Sequence, residues 1–245
     1  MDPSAFSCPA TDEVIVWRLS LSLSAKALVR CKAVLSAKER MQADKLLRPE
    51  GRRRLIACWG QVRRILGACL NQSPEAVHFI RGQWGKPFLP GPEGIVFNLS
   101  HSQDYLLLAV GRDRALGVDV EAIRPHANLE RLARRCLAPA EWKTWTSLAK
   151  ADRLTGFLRF WTLKEALAKA HGRGLGLGIQ HCAFALDDRA RLLTAPKECG
   201  LPASWTVHEL TGKDNYCAAL CARPGNIRVV DRCLPADWIE NSRLC

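Results

Sequence analysis

At 245 residues the chain suits one large domain or two small ones, and its 48% hydrophobic and 24% charged residues are those of a globular protein able to bury a core. Its net charge of +12 calls for an anionic partner: nucleic acid, a membrane surface, or a phosphate-rich or acidic substrate. No basic-then-apolar leader opens the sequence and no apolar run of about 18 residues occurs, so a secretory signal and a membrane span are set aside and a cytoplasmic location is expected. The eleven cysteines are odd in number, scattered and without a CxxC pair. They read as reduced, buried thiols, not as a disulfide or metal framework.

Residues 1–12 are polar, contain proline and read as loose. Over 13–23, Ile15, Trp17, Leu19, Leu21 and Leu23 alternate on one face, which predicts a strand ending near Ser20. Ser36 and Glu39 fit a capping box, so a helix is expected from Ala37. Pro49 interrupts it. A second helix is predicted from Glu50 to Leu70, with Leu55, Cys58, Trp59, Val62, Ile65, Leu66 and Cys69 as its apolar stripe. Residues 30–72 hold eleven Lys or Arg against Glu39, Asp44 and Glu50, and Arg52-Arg53-Arg54 opens the second helix. Such runs are usually solvated faces. Here the cations oppose the helix dipole, and an anion at the free N–H groups of that helix end would compensate them.

A short strand is expected at 77–80, followed by the loop Gln83-Trp84-Gly85-Lys86-Pro87-Phe88 with its single lysine. Three apolar runs at 95–97, 105–110 and 116–120 predict three strands. Between the first two, Asn98-Leu99-Ser100-His101-Ser102 reads as a turn dense in donors and acceptors. Asp119 and Glu121 alternate with Val118 and Val120, so both carboxylates share one strand face. Like charges so placed need a cation, a proton or solvent. Three helices follow: one to Cys136 capped by Asn128, one to Leu148 with Pro139 in its first turn, and the longest, capped by Asp152, to His171, where the Gly172, Gly174, Gly176, Gly178 series ends it. Strands at 182–186, 205–210, 216–222 and 227–230 complete the chain. The order strand, helices, strands occurs twice, which predicts an α+β fold of two similar halves, 1–112 and 113–245, joined near 111–115.

Glu165 and Lys169 lie four apart on the longest helix and share a face. Singly, each feature has a plain reading: a surface ion pair, a hydrogen-bonded turn histidine at His101, strand-edge charges at Asp119 and Glu121. Together, Asp119, Glu121 and Glu165 are hard oxygen ligands of the kind that suit Mg²⁺, and Arg53, Arg54, Lys86 and His101 are groups able to hold a polyphosphate. No Walker loop is present, and the glycines at 174–178 follow a helix instead of opening one, so a dinucleotide fingerprint is absent too.

The motifs Trp84-Gly85-Lys86-Pro87, Phe97-Asn98-Leu99-Ser100-His101-Ser102, Leu116-Gly117-Val118-Asp119-Val120-Glu121, and the run from Phe160 through Lys164-Glu165 to Lys169, followed by Gly172-Arg173-Gly174-Leu175, occur in this order. In order and spacing, over residues 13–222, the chain resembles the 4′-phosphopantetheinyl transferases of the surfactin-synthetase-activating type. The resemblance implies a monomer of two similar α/β halves with the active site between them. It implies transfer of 4′-phosphopantetheine from coenzyme A, the co-substrate, to a serine of an apo-acyl carrier protein or a carrier domain of a multi-enzyme synthase, releasing adenosine 3′,5′-bisphosphate. Asp119, Glu121 and Glu165 would bind Mg²⁺, with Mn²⁺ as a substitute, and Glu165 would also take the serine proton. Lys169 would meet the transferring phosphate, and Arg53, Arg54, Lys86, Ser100 and His101 would contact coenzyme A. Neither nucleic acid nor membrane is an expected partner: the basic helices lack interleaved aromatics and no nucleic-acid motif is present. The rival readings are a nucleic-acid binder, separated by a salt-dependent DNA shift assay, and an inactive carrier-docking scaffold, separated by single-turnover transfer.

Overall fold

The structure, a computed structural model, describes residues 6–91, 94–210, 215–224 and 226–241. The chain runs β1 (Glu13–Ser20), α1 (Ala25–Ala33), α2 (Ala37–Asp44), α3 (Pro49–Cys69), β2 (Ile80–Arg81), β3 (Pro87–Phe88), β4 (Ile95–Ser102), β5 (Tyr105–Arg112) and β6 (Ala115–Ala122). It continues α4 (Leu129–Cys136), α5 (Pro139–Ser147), α6 (Arg153–His171), β7 (Ala183–Leu186), β8 (Ala190–Thr194), β9 (Thr206–Glu209), β10 (Tyr216–Arg223), β11 (Arg228–Cys233) and α7 (Trp238–Asn241). Helices and strands are mixed, as the α+β reading expects. No helix among the described residues is long and apolar enough to cross a membrane.

The two larger sheets have the orders β11-β1-β5-β4 and β6-β10-β9, and β2-β3 and β7-β8 form two-stranded sheets of their own. β1 is buried on both faces: Ile15, Trp17 and Leu19 join a core under α1 and α3, while Val14 and Val16 meet Val118, Val120 and Leu220 of the second sheet. The far face of the second sheet, through Ala219 and Cys221, packs on α6. The result is four layers: helices, sheet, sheet, α6. The chain's only two tyrosines, Tyr105 and Tyr216, stack at 4.7 Å between strands of the two sheets.

Local chemistry explains several boundaries. Ser36 and Glu39 make the capping box of α2. Pro49 sits in the first turn of α3, and Gly172, at φ 92°, closes α6 in the left-handed region. Gly60 is required for packing: an added Cβ would lie 2.4 Å from that of Cys31, so α1 and α3 cross at closest approach there.

Other expectations need correction. The Asn98 to Ser102 run is not a turn; it continues β4, and the turn falls at 103–104. Only Ile80 of the expected 77–80 strand is in β2. Asn128 and Asp152 stand at helix starts but make no side-chain cap. Of the segment read as loose, residues 1–5 lie outside the described residues, while Phe6 is buried against Trp238 at 5.5 Å between ring centroids. β11 returns to pair in parallel with β1, and Trp238 of α7 donates to Gln61 inside the first core. Residues 228–241 therefore pack on the N-terminal half. The basic run is also not one face. Arg63 is buried against Glu39 at 2.7 Å, Arg64 reaches the Arg30 carbonyl, and Arg52 reaches the carbonyls of Asp44 and Leu46.

Candidate active site

The site forms on a seam between two edge strands. β4 and β6 border different sheets and share no main-chain ladder, yet their side chains and backbone interlock. Asn98 Oδ1 accepts from the Val118 N–H at 2.8 Å, Ser100 Oγ from Val120 at 3.4 Å, and Ser102 Oγ from Ala122 at 3.1 Å. The period of two on both strands sets three rungs in one register, satisfying edge N–H groups that burial would otherwise leave costly. This is why a strand here carries three polar residues on one face.

α6 lies against the other face of β6. Gly117 allows it: a Cβ there would sit 2.0 Å from the Ala166 carbonyl oxygen and 2.4 Å from the Ala170 nitrogen. That approach brings Lys169 onto Asp119. Lys169 Nζ donates to Asp119 Oδ1 at 2.7 Å and to Ser100 Oγ at 2.8 Å, and Ser100 donates to the same Asp119 oxygen at 2.8 Å. Ser102 Oγ lies 3.1 Å from Glu121 Oε2. Burial, and then the charge of Asp119, pushes the Glu165 carboxyl up to about 7; Glu121 adds to this and Lys169 opposes it. Glu121 is raised for the same two leading reasons, opposed by hydrogen bonds from Ser102 and Trp161.

Of the remaining expected residues, Lys86, His101 and Arg54 approach this cluster, while Arg53 turns to the Leu23 carbonyl. Lys86 is bound to main chain: its Nζ donates to the carbonyls of Leu116 at 2.8 Å and Lys169 at 2.7 Å, and burial with the Lys169 charge lowers it to about 8. It lines a cavity of about 270 Å³ with Trp84, Pro87, Asn98, Leu99 and Lys169. His101 stands at the rim, held below its ordinary value first by desolvation and then by Lys169 and Arg54. Arg54 pairs with Asp104 at 2.8 Å, whereas Arg53 donates to the Leu23 carbonyl at 3.3 Å. A second cavity, about 380 Å³, lies beyond Pro87 among Lys38, Trp59, Arg63, His78, Phe79 and Arg81. A larger one, about 1170 Å³ between β8 and β9, contains none of the expected site residues. The sequence reading missed Asn98, Ser102 and Trp161 as parts of the site. The signal for the first two was their spacing with Ser100, visible only if the segment is read as strand.

The donor set suits a divalent cation. Asp119 Oδ2 and Glu165 Oε1 are buried oxygens without a hydrogen-bond partner, an expensive condition that a hard cation relieves. Among the described residues no three His, Cys, Asp or Glu side chains are already arranged around one point. The chemistry fits a hard cation; the orphaned oxygens belong to Asp119 and Glu165, with Glu121 beside them.

Residues 115–221, which include β6 and α6, match the model of the 4′-phosphopantetheinyl transferase superfamily. The 4′-phosphopantetheinyl transferase HetI of Nostoc sp. is 38% identical over 86% of this chain and 87% of its own. A phosphopantetheinyl transferase of Thraustochytrium sp. is 29% identical over 78% and 71%. Among solved structures, the holo-[acyl-carrier-protein] synthase of Thermotoga maritima aligns with 46% of this chain and 64% of its own at 23% identity and a TM-score of 0.39. At the identity and coverage of the Nostoc relative, the chain belongs to the 4′-phosphopantetheinyl transferase superfamily.

Proposed function

We propose that the protein transfers 4′-phosphopantetheine from coenzyme A to a serine hydroxyl of an apo-carrier protein, as a surfactin-synthetase-activating-type enzyme. The observation that carries this is the meeting of Asp119, on β6, with Lys169 and Glu165, on α6: Lys169 lies 2.7 Å from Asp119, and Asp119 Oδ2 and Glu165 Oε1 are buried without a hydrogen-bond partner. A serine hydroxyl is a poor nucleophile until a base takes its proton, and Glu165 is the carboxylate of this cluster assigned that role. In the reaction the serine oxygen bonds to the phosphorus bearing pantetheine, and the bond from that phosphorus to the bridging oxygen breaks. Adenosine 3′,5′-bisphosphate leaves and the serine proton passes to Glu165. Lys169 meets the charge that grows on the transferring phosphate. A divalent cation, Mg²⁺ or Mn²⁺, held by Asp119, Glu165 and Glu121, would neutralise the pyrophosphate.

The nucleotide end would lie along the β4 rim, met by His101, Ser100 and Arg54, with Arg53 and Lys86 flanking it. We read residues 1–112, on which the returning segment 228–241 packs, as the half that holds the nucleotide and the rest of 113–245 as the half that supplies the carboxylates, with the substrate between two similar halves of one monomer. The ten described cysteines, all free thiols, accord with a cytoplasmic setting, and the +12 charge with electrostatic attraction of an acidic carrier. The test is single-turnover transfer from coenzyme A to apo-carrier proteins followed by mass spectrometry. Absence of the adduct across fatty-acid, polyketide and peptide carriers would sink the reading.

A further inference from the structure

Ser100 and Ser102 stand in the same relation to β6. Each hydroxyl accepts from the main-chain N–H twenty residues on and lies against the carboxylate nineteen residues on. A hydroxyl carries one proton. An amide N–H only donates and an ionised carboxylate only accepts, so the serine proton is directed to the carboxylate. The hydroxyl therefore links an otherwise unpaired edge amide to an acidic side chain. Asn98 completes the first rung without the second function: nineteen residues on stands Gly117, which has no side chain to hold. Ser100 is also engaged by Lys169, whereas Ser102 has the Ala122 amide and Glu121 as its side-chain partners.

We propose that Ser102 is a positioning residue, its hydroxyl aiming Glu121 Oε2 so that the carboxylate serves the divalent cation. The inference rests on the metal reading above. A hydroxyl that merely sealed the Ala122 amide would affect folding and leave cation affinity unmoved. Partners that orient ligands from behind typically change metal affinity by about 10- to 100-fold when removed.

The test measures Mn²⁺ binding to the full-length enzyme directly, by the electron-paramagnetic signal of free Mn²⁺. Ser102→Thr and Ser102→Val are compared because they match in volume and differ in the hydroxyl. Wild type and Ser102→Thr should bind alike, Ser102→Val about 10-fold or more weaker, and Ser102→Val should add nothing once Glu121→Gln is present. Should the Val variant lose its cooperative melt, Ser102→Ala, smaller than the native residue, replaces it. Equal affinity in the presence and absence of the hydroxyl, or an undiminished effect in the Glu121→Gln background, overturns the inference while leaving the metal reading intact. Failure of wild type to bind Mn²⁺ removes the metal reading, and this inference with it.

Discussion

α6 carries two lysine–carboxylate pairs, five residues apart, with opposite characters. Lys164 and Glu141 are both fully buried at 2.8 Å, and every demand around them is met. Lys164 also donates to the carbonyls of Ile179 and Cys182, and Glu141 accepts from the amides of Ala138 and Phe184. Lys169 and Asp119 lie at 2.7 Å in a more open place, side chains 27% and 5% exposed, beside two orphaned carboxylate oxygens. The first pair is closed: charge, hydrogen bonds and geometry balance internally, which ties α5, α6 and β7 together. The second has excess negative charge that only something from outside can balance. Incomplete satisfaction, more than the presence of an ion pair, is what singles out the Lys169 end of this helix as the candidate site.

The contrast is broken most sharply by Glu141→Ala. Removing one partner strands a fully buried ammonium, with an expected loss of about 3–5 kcal/mol of stability. Thermal melts should collapse, and residual activity should track the folded fraction. A variant that melts normally would mean that the closed pair is not structural. Lys169→Ala is the counterpart, expected to leave a cooperative melt and to lower turnover by roughly two to three orders of magnitude. Near-normal turnover with coenzyme A and an apo-carrier would return Lys169 to the surface-pair reading.

How much of this was legible beforehand follows from what kind of signal each residue gives. The shared face of Asp119 and Glu121 follows from strand periodicity, and the meeting of Glu165 with Lys169 from helix periodicity. That α6 packs on β6 depends on contacts across 50 residues, for which Gly117 is the only local trace. Lys164 sits beside Glu165 in sequence, and no local rule says which faces the core. Its partner Glu141 was hidden as a helix-start residue. The polar run at 98–102 misled because donors and acceptors usually mean a turn, whereas here they replace a missing strand neighbour. β8 and α7 were missed because their short, mixed patterns acquire meaning only through packing, α7 by its burial of Trp238 against Gln61.

A smaller effect separates the arginines of the basic run. Arg54 acts on His101 and pairs with Asp104 at the seam's end, while Arg52 is turned to carbonyls at the end of α2. Arg54→Ala should raise the Michaelis constant for coenzyme A roughly tenfold, the scale of a lost charge-assisted hydrogen bond, and Arg52→Ala much less. Both are read with 3′-dephospho-coenzyme A alongside. Equal effects of the two substitutions would undo the distinction.

The most direct measure of the unbalanced charge is the pH dependence of stability. A glutamate ordinarily titrates near 4.5, and Glu165 in the folded protein near 7. Between those values the folded state binds more protons than the unfolded one, so by linkage stability is greatest below about 4.5, falls as pH rises, and levels off above about 7. Other acid-sensitive pairs act in the same range, so the informative quantity is the difference between wild type and Glu165→Gln, which cannot titrate there. Glu141 is raised as well but is common to both proteins and cancels. Melting temperatures from pH 5 to 8 without divalent cation should show wild type losing ground to the variant as pH rises. Excess Mg²⁺ should stabilise wild type more at pH 8 than at pH 5, because it meets the carboxylates only once their protons are gone. A flat difference across that interval would mean that Glu165 is ionised throughout, and the acid–base role given to this helix face would lose its physical basis.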